Sequence, residues 1–169
     1  MTEKNNKRLD SNLRFLSILE DESIASLASA FLLKLYESMG LSIDEEYVGD
    51  LADINFSFSR EKGNFFVITS EENDVVATTA YLLRENNVAY LTRLAVAPEY
   101  RKKGLARFTY KKMVEEMKAR GIKKAVFSTL KSFGMVEAYK RWGFSVVSEE
   151  KIVTGRGDDI EVVMENILI

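Results

Sequence analysis

An apolar segment, Leu94-Ala95-Val96-Ala97, runs into the only proline of the chain, Pro98, and then into Arg101-Lys102-Lys103-Gly104-Leu105-Ala106. Beyond that basic run the pattern is that of an amphipathic helix. Such an order gathers free backbone N–H groups, the positive end of a helix dipole and several cations at one place. Small residues at Gly104 and Ala106 leave the backbone open to close approach. A diphosphate suits this cradle, because its oxygens can accept from several amides at once.

Little other chemistry is on offer. The chain has no cysteine and no histidine, which removes disulfides, thiolate nucleophiles, nitrogen- or sulfur-ligated zinc and haem, histidine bases and Ser-His-Asp arrangements. Carboxylates, tyrosines, lysines, hydroxyls, backbone dipoles or a reactive cofactor remain, and they suit a substrate that arrives already activated. The 169 residues, 46% apolar and 30% charged, describe one globular domain with a real core. A net charge of −2 does not fit a nucleic-acid or anionic-membrane partner. No apolar run approaches the ~20 residues of a membrane span. The segment 1–10 reads as a polar tail without the apolar centre of a secretory signal, so a cytoplasmic protein is expected.

The elements that must position the basic loop follow from periodicity. Ile24, Leu27, Ala28, Phe31, Leu32, Leu35, Tyr36 and Met39 recur at helical spacing, with Asp21 or Ser23 to cap the start and Gly40 to end it. Before this helix, Leu13 to Leu19 alternates weakly, as an edge strand would. After it, Asp44, Glu45, Glu46, Asp50 and Asp53 fall in a second helix or helix-loop at 44–58. The runs Phe65 to Thr69, Val75 to Leu83 and Val88 to Val96 suggest an antiparallel meander, with Asn73-Asp74 and Asn86-Asn87 at its breaks.

Leu105 to about Arg120 is helical, with Ala106, Thr109, Tyr110, Met113 and Met117 on one side and Arg107, Lys111, Glu115 and Lys118 on the other. A strand at Lys124 to Leu130 and a short helix at Met135 to Trp142 follow, the helix stopped by Gly143. Strands at Phe144 to Val153 and Ile160 to Ile167 flank the turn Thr154 to Asp158. The strand, helix, strand unit at 88–130 needs a right-handed crossover, which makes its two strands parallel. The expected fold is α/β of the α+β type. It has a twisted mixed sheet of six to seven strands and helices on both faces.

Arg101 to Ala106 matches the pattern Arg/Gln-x-x-Gly-x-Gly/Ala, and about 30 residues later comes Ala138-Tyr139-Lys140-Arg141-Trp142-Gly143-Phe144. With strand, Val-x-Pro, basic glycine loop and helix in that order, residues of roughly 60–165 resemble the GCN5-related N-acetyltransferases. The resemblance implies an acyl-CoA N-acyltransferase-like domain over 11–169, with an acceptor side at about 11–60 and an acetyl-CoA-binding part at about 61–169. It implies acetyl-CoA as co-substrate and no metal. Arg101, Lys102, Lys103, Gly104, Leu105 and Ala106 would hold the CoA pyrophosphate. The strand 88–96 would splay from 124–130, opened by a bulge near Thr92 or Arg93, and Leu94, Ala95 and Val96 would bond the pantetheine arm as an added strand does. Tyr139 would give a proton to the leaving thiolate, Trp142 and Phe144 would fill core, and Ser132 stands where many relatives carry a pantetheine-binding asparagine.

Phe127 occupies the position of a glutamate base in peptide-directed relatives. Deprotonation would then fall to a water chain, a carboxylate of the acidic segment or bulk solvent. The expected function is transfer of acetyl from acetyl-CoA to a primary amine, small molecule or peptide, by direct attack in a ternary complex. A non-catalytic acyl-CoA-binding or protein-interaction module is the alternative. The segment Asp44 to Asp53 offers attraction for a cationic acceptor, and the apolar strand Val162 to Ile169 offers a homodimer edge.

Overall fold

The computed structural model describes residues 9–169; of the expected polar tail at 1–10, residues 1–8 lie outside the described residues. The strands are β1 (Arg14–Ser17), β2 (Gly63–Thr69), β3 (Val75–Arg84), β4 (Val88–Val96), β5 (Lys124–Leu130), β6 (Ser145–Thr154) and β7 (Gly157–Ile167). They form a single sheet in the order β1-β2-β3-β4-β5-β7-β6. Among the described residues only β4 and β5 are parallel neighbours; every other pair is antiparallel. The helices are α1 (Ala25–Ser38), α2 (Glu45–Val48), α3 (Ile54–Ser57), α4 (Leu105–Ala119) and α5 (Val136–Arg141).

The strand β2, next to the edge strand β1, is buried along its whole length, so both faces of the sheet are covered there. Phe65 and Val67 pack on one side with Ala28 and Leu32 of α1 and Ile54 of α3. Phe66 turns to the other side, against a core shared by Tyr110, Met113 and Met117 of α4 and by Phe127, Val162 and Met164 of β5 and β7. Period-two alternation in the strand thus serves two different helix layers. α1 buries Ala25, Ala28, Leu32 and Leu35. That stripe turns Leu27, which the sequence spacing places inward, to the rim, where it is 48% exposed.

The meander β2-β3-β4 turns at Asn73 and at Asn86-Asn87, all three with positive φ, the conformation asparagine tolerates better than most residues. One expectation fails at the other end. The C-terminal strand β7 lies between β5 and β6 and is no edge; the edge strands are β1 and β6. The chain folds back through a hairpin at Gly155-Arg156 and inserts its last strand beside β5, where Val162 and Met164 meet the α4 layer.

Candidate active site

β4 and β5 pair only over Val88↔Lys124, Ala89↔Ala125 and Tyr90↔Val126, and then part. The cause lies in β4. Ala80 of β3 faces Thr92 and Thr78 faces Ala95, so two β4 residues, Arg93 and Leu94, oppose the single residue Thr79. This is a β-bulge, and it turns β4 away from its parallel neighbour at the place the sequence suggested. Arg93 adopts φ 57, and the buried Thr78 hydroxyl donates to its carbonyl at 2.6 Å. Past the bulge, Ala95 and Val96 stay paired with β3, while the edge of Leu94 to Val96 toward β5 has no ladder partner.

The basic loop follows at once. Ala97 leads into a 3-10 turn at Pro98–Tyr100. Lys102 (φ 61) and Gly104 (φ 85) then take left-handed conformations that turn the chain into α4. Gly104 is the N-cap residue and supplies no side-chain cap. The first amides of α4 therefore have neither a side chain nor a helical carbonyl to bond. Arg101 Nε donates to the Val96 carbonyl at 3.2 Å, tying loop to strand, and the Lys103 ammonium lies 4.9 Å from the Tyr100 ring centroid. Arg101 to Gly104 are exposed, Leu105 is buried and Ala106 is half-buried. A cavity of about 800 Å³ adjoins the loop, but Asp10, Glu71, Glu72 and Glu99 help to line it. That acidic wall suits a polyphosphate poorly.

The second motif has a geometric reason for its spacing. Phe144 N–H donates to the Tyr139 carbonyl at 3.1 Å and Gly143 N–H to the Lys140 carbonyl at 3.0 Å, with Gly143 at φ 103. These are the two bonds of a Schellman closure, which needs a glycine at that position and sets an apolar residue just beyond it. The closure brings the Tyr139 ring against Phe127 of β5 at 4.6 Å, edge-on to Trp142 at 5.3 Å, with Phe144 beside it. Trp142 stacks on Tyr110 of α4 at 5.4 Å, the core role expected of it. Burial pushes the Tyr139 phenol up to about 12. Among the described residues its hydroxyl has no hydrogen-bond partner.

Ser132 sits in the turn after β5, exposed, its hydroxyl donating to Asp159 of β7 and accepting from Arg156 at 3.4 Å. The Ser132 hydroxyl first, and then the Ile160 amide, hold the Asp159 carboxyl below its usual range. Phe127, at the position of the glutamate base, is buried in the core. Within the acidic segment, Asp53 caps α3 through the Phe56 amide at 2.9 Å, and Asp44 accepts from Ser42 at 2.8 Å. Asp50 forms a two-pronged ion pair with Arg93, a partnership that sequence reasoning missed. The two residues lie 43 positions apart, and no local signal joins them. Among the described residues, no helix is long and apolar enough to cross a membrane.

A strand splayed at a bulge, running into an uncapped helix N-terminus with a tyrosine-bearing helix beside it, defines the acyl-CoA N-acyltransferase architecture. A family model described as the acetyltransferase (GNAT) family matches residues 30–144. The chain belongs to that family. The match begins inside α1, earlier than the motifs at 101–106 and 139–144 suggested. Among solved structures, an acetyltransferase of the GNAT family from Staphylococcus aureus Mu50 aligns at TM-score 0.77 and 18% identity, over 92% of this chain and 100% of that one. An acetyltransferase from Streptococcus agalactiae 2603 aligns at 0.76 and 17%, over 94% and 99%. A third, from Bacillus anthracis Ames, is provisionally assigned as a streptothricin acetyltransferase and was solved with acetyl coenzyme A. It aligns at 0.59 and 14%, over 68% of each chain. No protein of curated function matches.

Proposed function

We propose that this chain transfers the acetyl group of acetyl-CoA to a primary amine by direct attack in a ternary complex. The observation that carries the reading is the pairing of two vacancies in one path. The unpaired edge of Leu94 to Val96 runs straight into the free amides of 102–106. An arm bearing amides at one end and a diphosphate at the other is the chemistry that would use both.

In this reading the amides of Lys102 to Ala106 and the side chains of Arg101, Lys102 and Lys103 hold the diphosphate, and the edge of Leu94 to Val96 orients the pantetheine arm. The acceptor nitrogen forms a bond to the thioester carbonyl carbon as the carbon–sulfur bond breaks. Tyr139 donates its proton to the departing thiolate, the amine's proton passes to water, and Tyr139 regains a proton from solvent. The products are an amide and free CoA. Tyr139 is protonated at neutral pH with or without its burial, and its hydroxyl, which has no hydrogen-bond partner among the described residues, is left to donate. No covalent enzyme intermediate is needed, since the amine attacks the already activated thioester directly. Asp44, Glu45 and Glu46, exposed on the acceptor side, are the carboxylates left to attract a cationic acceptor once Asp50 and Asp53 are engaged.

Thiol release from acetyl-CoA, measured across polyamines, aminoglycosides, streptothricin and peptide N-termini, tests the reading. Turnover with at least one amine is the expected result. The buried Phe127, where a carboxylate base could stand, favours a second reading as an acyl-CoA-binding module. Thermal stabilisation by CoA with no turnover on the panel would select it.

A further inference from the structure

The residue that makes the bulge also reaches away from the cofactor strand. The Arg93 side chain extends to the acceptor side and is largely buried, at 14% exposure. Its Nε donates to Asp50 Oδ2 at 3.0 Å, and its Nη2 to Asp50 Oδ1 and, at 2.7 Å, to the Tyr47 carbonyl. The third nitrogen, Nη1, reaches the Tyr36 hydroxyl at 3.5 Å, with the guanidinium 5.8 Å from that ring's centroid. One guanidinium therefore binds the last turn of α1, the carbonyl of Tyr47 in α2 and the 3-10 turn Gly49–Asp53. On the other side, Thr78 pins the Arg93 carbonyl from β3.

The segment so held cannot order itself. α2, the 3-10 turn and α3 have four, five and four residues, and isolated helices that short are unstable in water. Val48, Leu51 and Ile54 bury its apolar side in the core, but such burial leaves its position along β4 free to slide. A planar fork bound at several points fixes it in a way apolar packing does not. Arginine at positive φ is strained, and that strain persists only where surrounding bonds over-determine it.

We propose that Arg93 is a positioning residue that couples the acceptor-side segment 45–53 to the cofactor edge Leu94 to Val96. The two halves of the site are then ordered together. This rests on the acetyl-CoA reading above. An arm seated on the edge holds the bulge in shape, the bulge holds Arg93, and Arg93 holds the segment. The coupling runs equally in the other direction.

CoA titration by calorimetry, with amide hydrogen exchange at 45–53, tests this in the full chain, using wild type, Arg93→Gln, Asp50→Asn and the double variant. CoA should slow exchange at 45–53 in the wild type, although by this reading it does not touch that segment. Each single variant should weaken CoA about tenfold and abolish that protection, and the double variant should lose no more than the worse single one. A purely structural role would lower the melting temperature and leave the CoA-induced protection in place. Affinity within about twofold of wild type in folded variants would overturn the proposal. Should Arg93→Gln fail to fold, Asp50→Asn, which keeps the shape of its partner, decides alone. A wild type that does not bind CoA would remove the acetyltransferase reading and the coupling with it.

Discussion

Burial holds the Tyr139 phenol protonated up to about pH 12, above its reference near 10. Tyr139→Phe should lower kcat about a hundredfold with little change in KM, in steady-state rates with acetyl-CoA and an accepted amine. The same shift sets a stability window. As pH rises the unfolded chain gives up this proton first, so the stability the phenol contributes is whole below about 10 and is lost between about 10 and 12. Gly104, at φ 85, is the second residue with a sharp expectation. Gly104→Val sets a branched side chain beside the free amides in a left-handed conformation that costs about 1–2 kcal/mol. CoA should then no longer raise the melting temperature, while the melting temperature itself falls by only about 4 °C. The loop at Gly104 and the closure that follows Tyr139 were legible because their turns and bonds join residues close in sequence. Arg93 was legible only as a place for a bulge. Its partner Asp50 read as one more solvated carboxylate, because an ion pair across 43 residues leaves no periodicity behind.

Among the elements, those built from local bonds matched their sequence signals closely. Glycine closures end α1 at Gly40, α4 at Gly121 and α5 at Gly143, each within two residues of the expected stop. The meander and the parallel β4–β5 pair followed from turn residues and crossover handedness. What periodicity does not encode is which neighbour a strand chooses. β7 therefore read as an edge although it lies inside the sheet. β2 also starts two residues earlier than its β-branched run, at Gly63, because Gly63 and Asn64 carry interactions that hydropathy does not register. Asn64 accepts from Ser17 at 2.9 Å and donates to Glu116 at 2.7 Å, and Glu116 accepts from Tyr81 at 2.6 Å. Arg120 donates to the Tyr81 hydroxyl at 2.8 Å and the Gly63 carbonyl at 3.0 Å, so β1, β2, β3 and α4 share one polar network. A Cβ at Gly63 would stand 1.9 Å from the Tyr81 carbonyl oxygen. Gly63→Ala should therefore cost about 3 kcal/mol in urea unfolding, through forced separation of β2 and β3.

For the molecule as a whole, the lack of histidine leaves no side chain with an ordinary pKa between 5 and 8. Unfolding free energy in urea should be nearly flat from pH 6 to 8. Any acid limb in kcat/KM should move with the pKa of the amine supplied rather than stay with the enzyme, as a comparison of two acceptors of different basicity would show. The three parallel pairs between β4 and β5 have a further consequence. In mechanical terms the sheet is two plates on a short hinge. The strands β1 to β4 form one plate and β5 to β7 the other, with longer ladders inside each than between them. Load passed from plate to plate falls on those three pairs, on the backbone bond from Lys123 to Asn87, on the core that Phe66 shares with Phe127, Val162 and Met164, and on α4, the strut connecting the plates in sequence. A ligand arm bonded into the gap would act as a brace, making the loaded molecule stiffer across the seam than along either half.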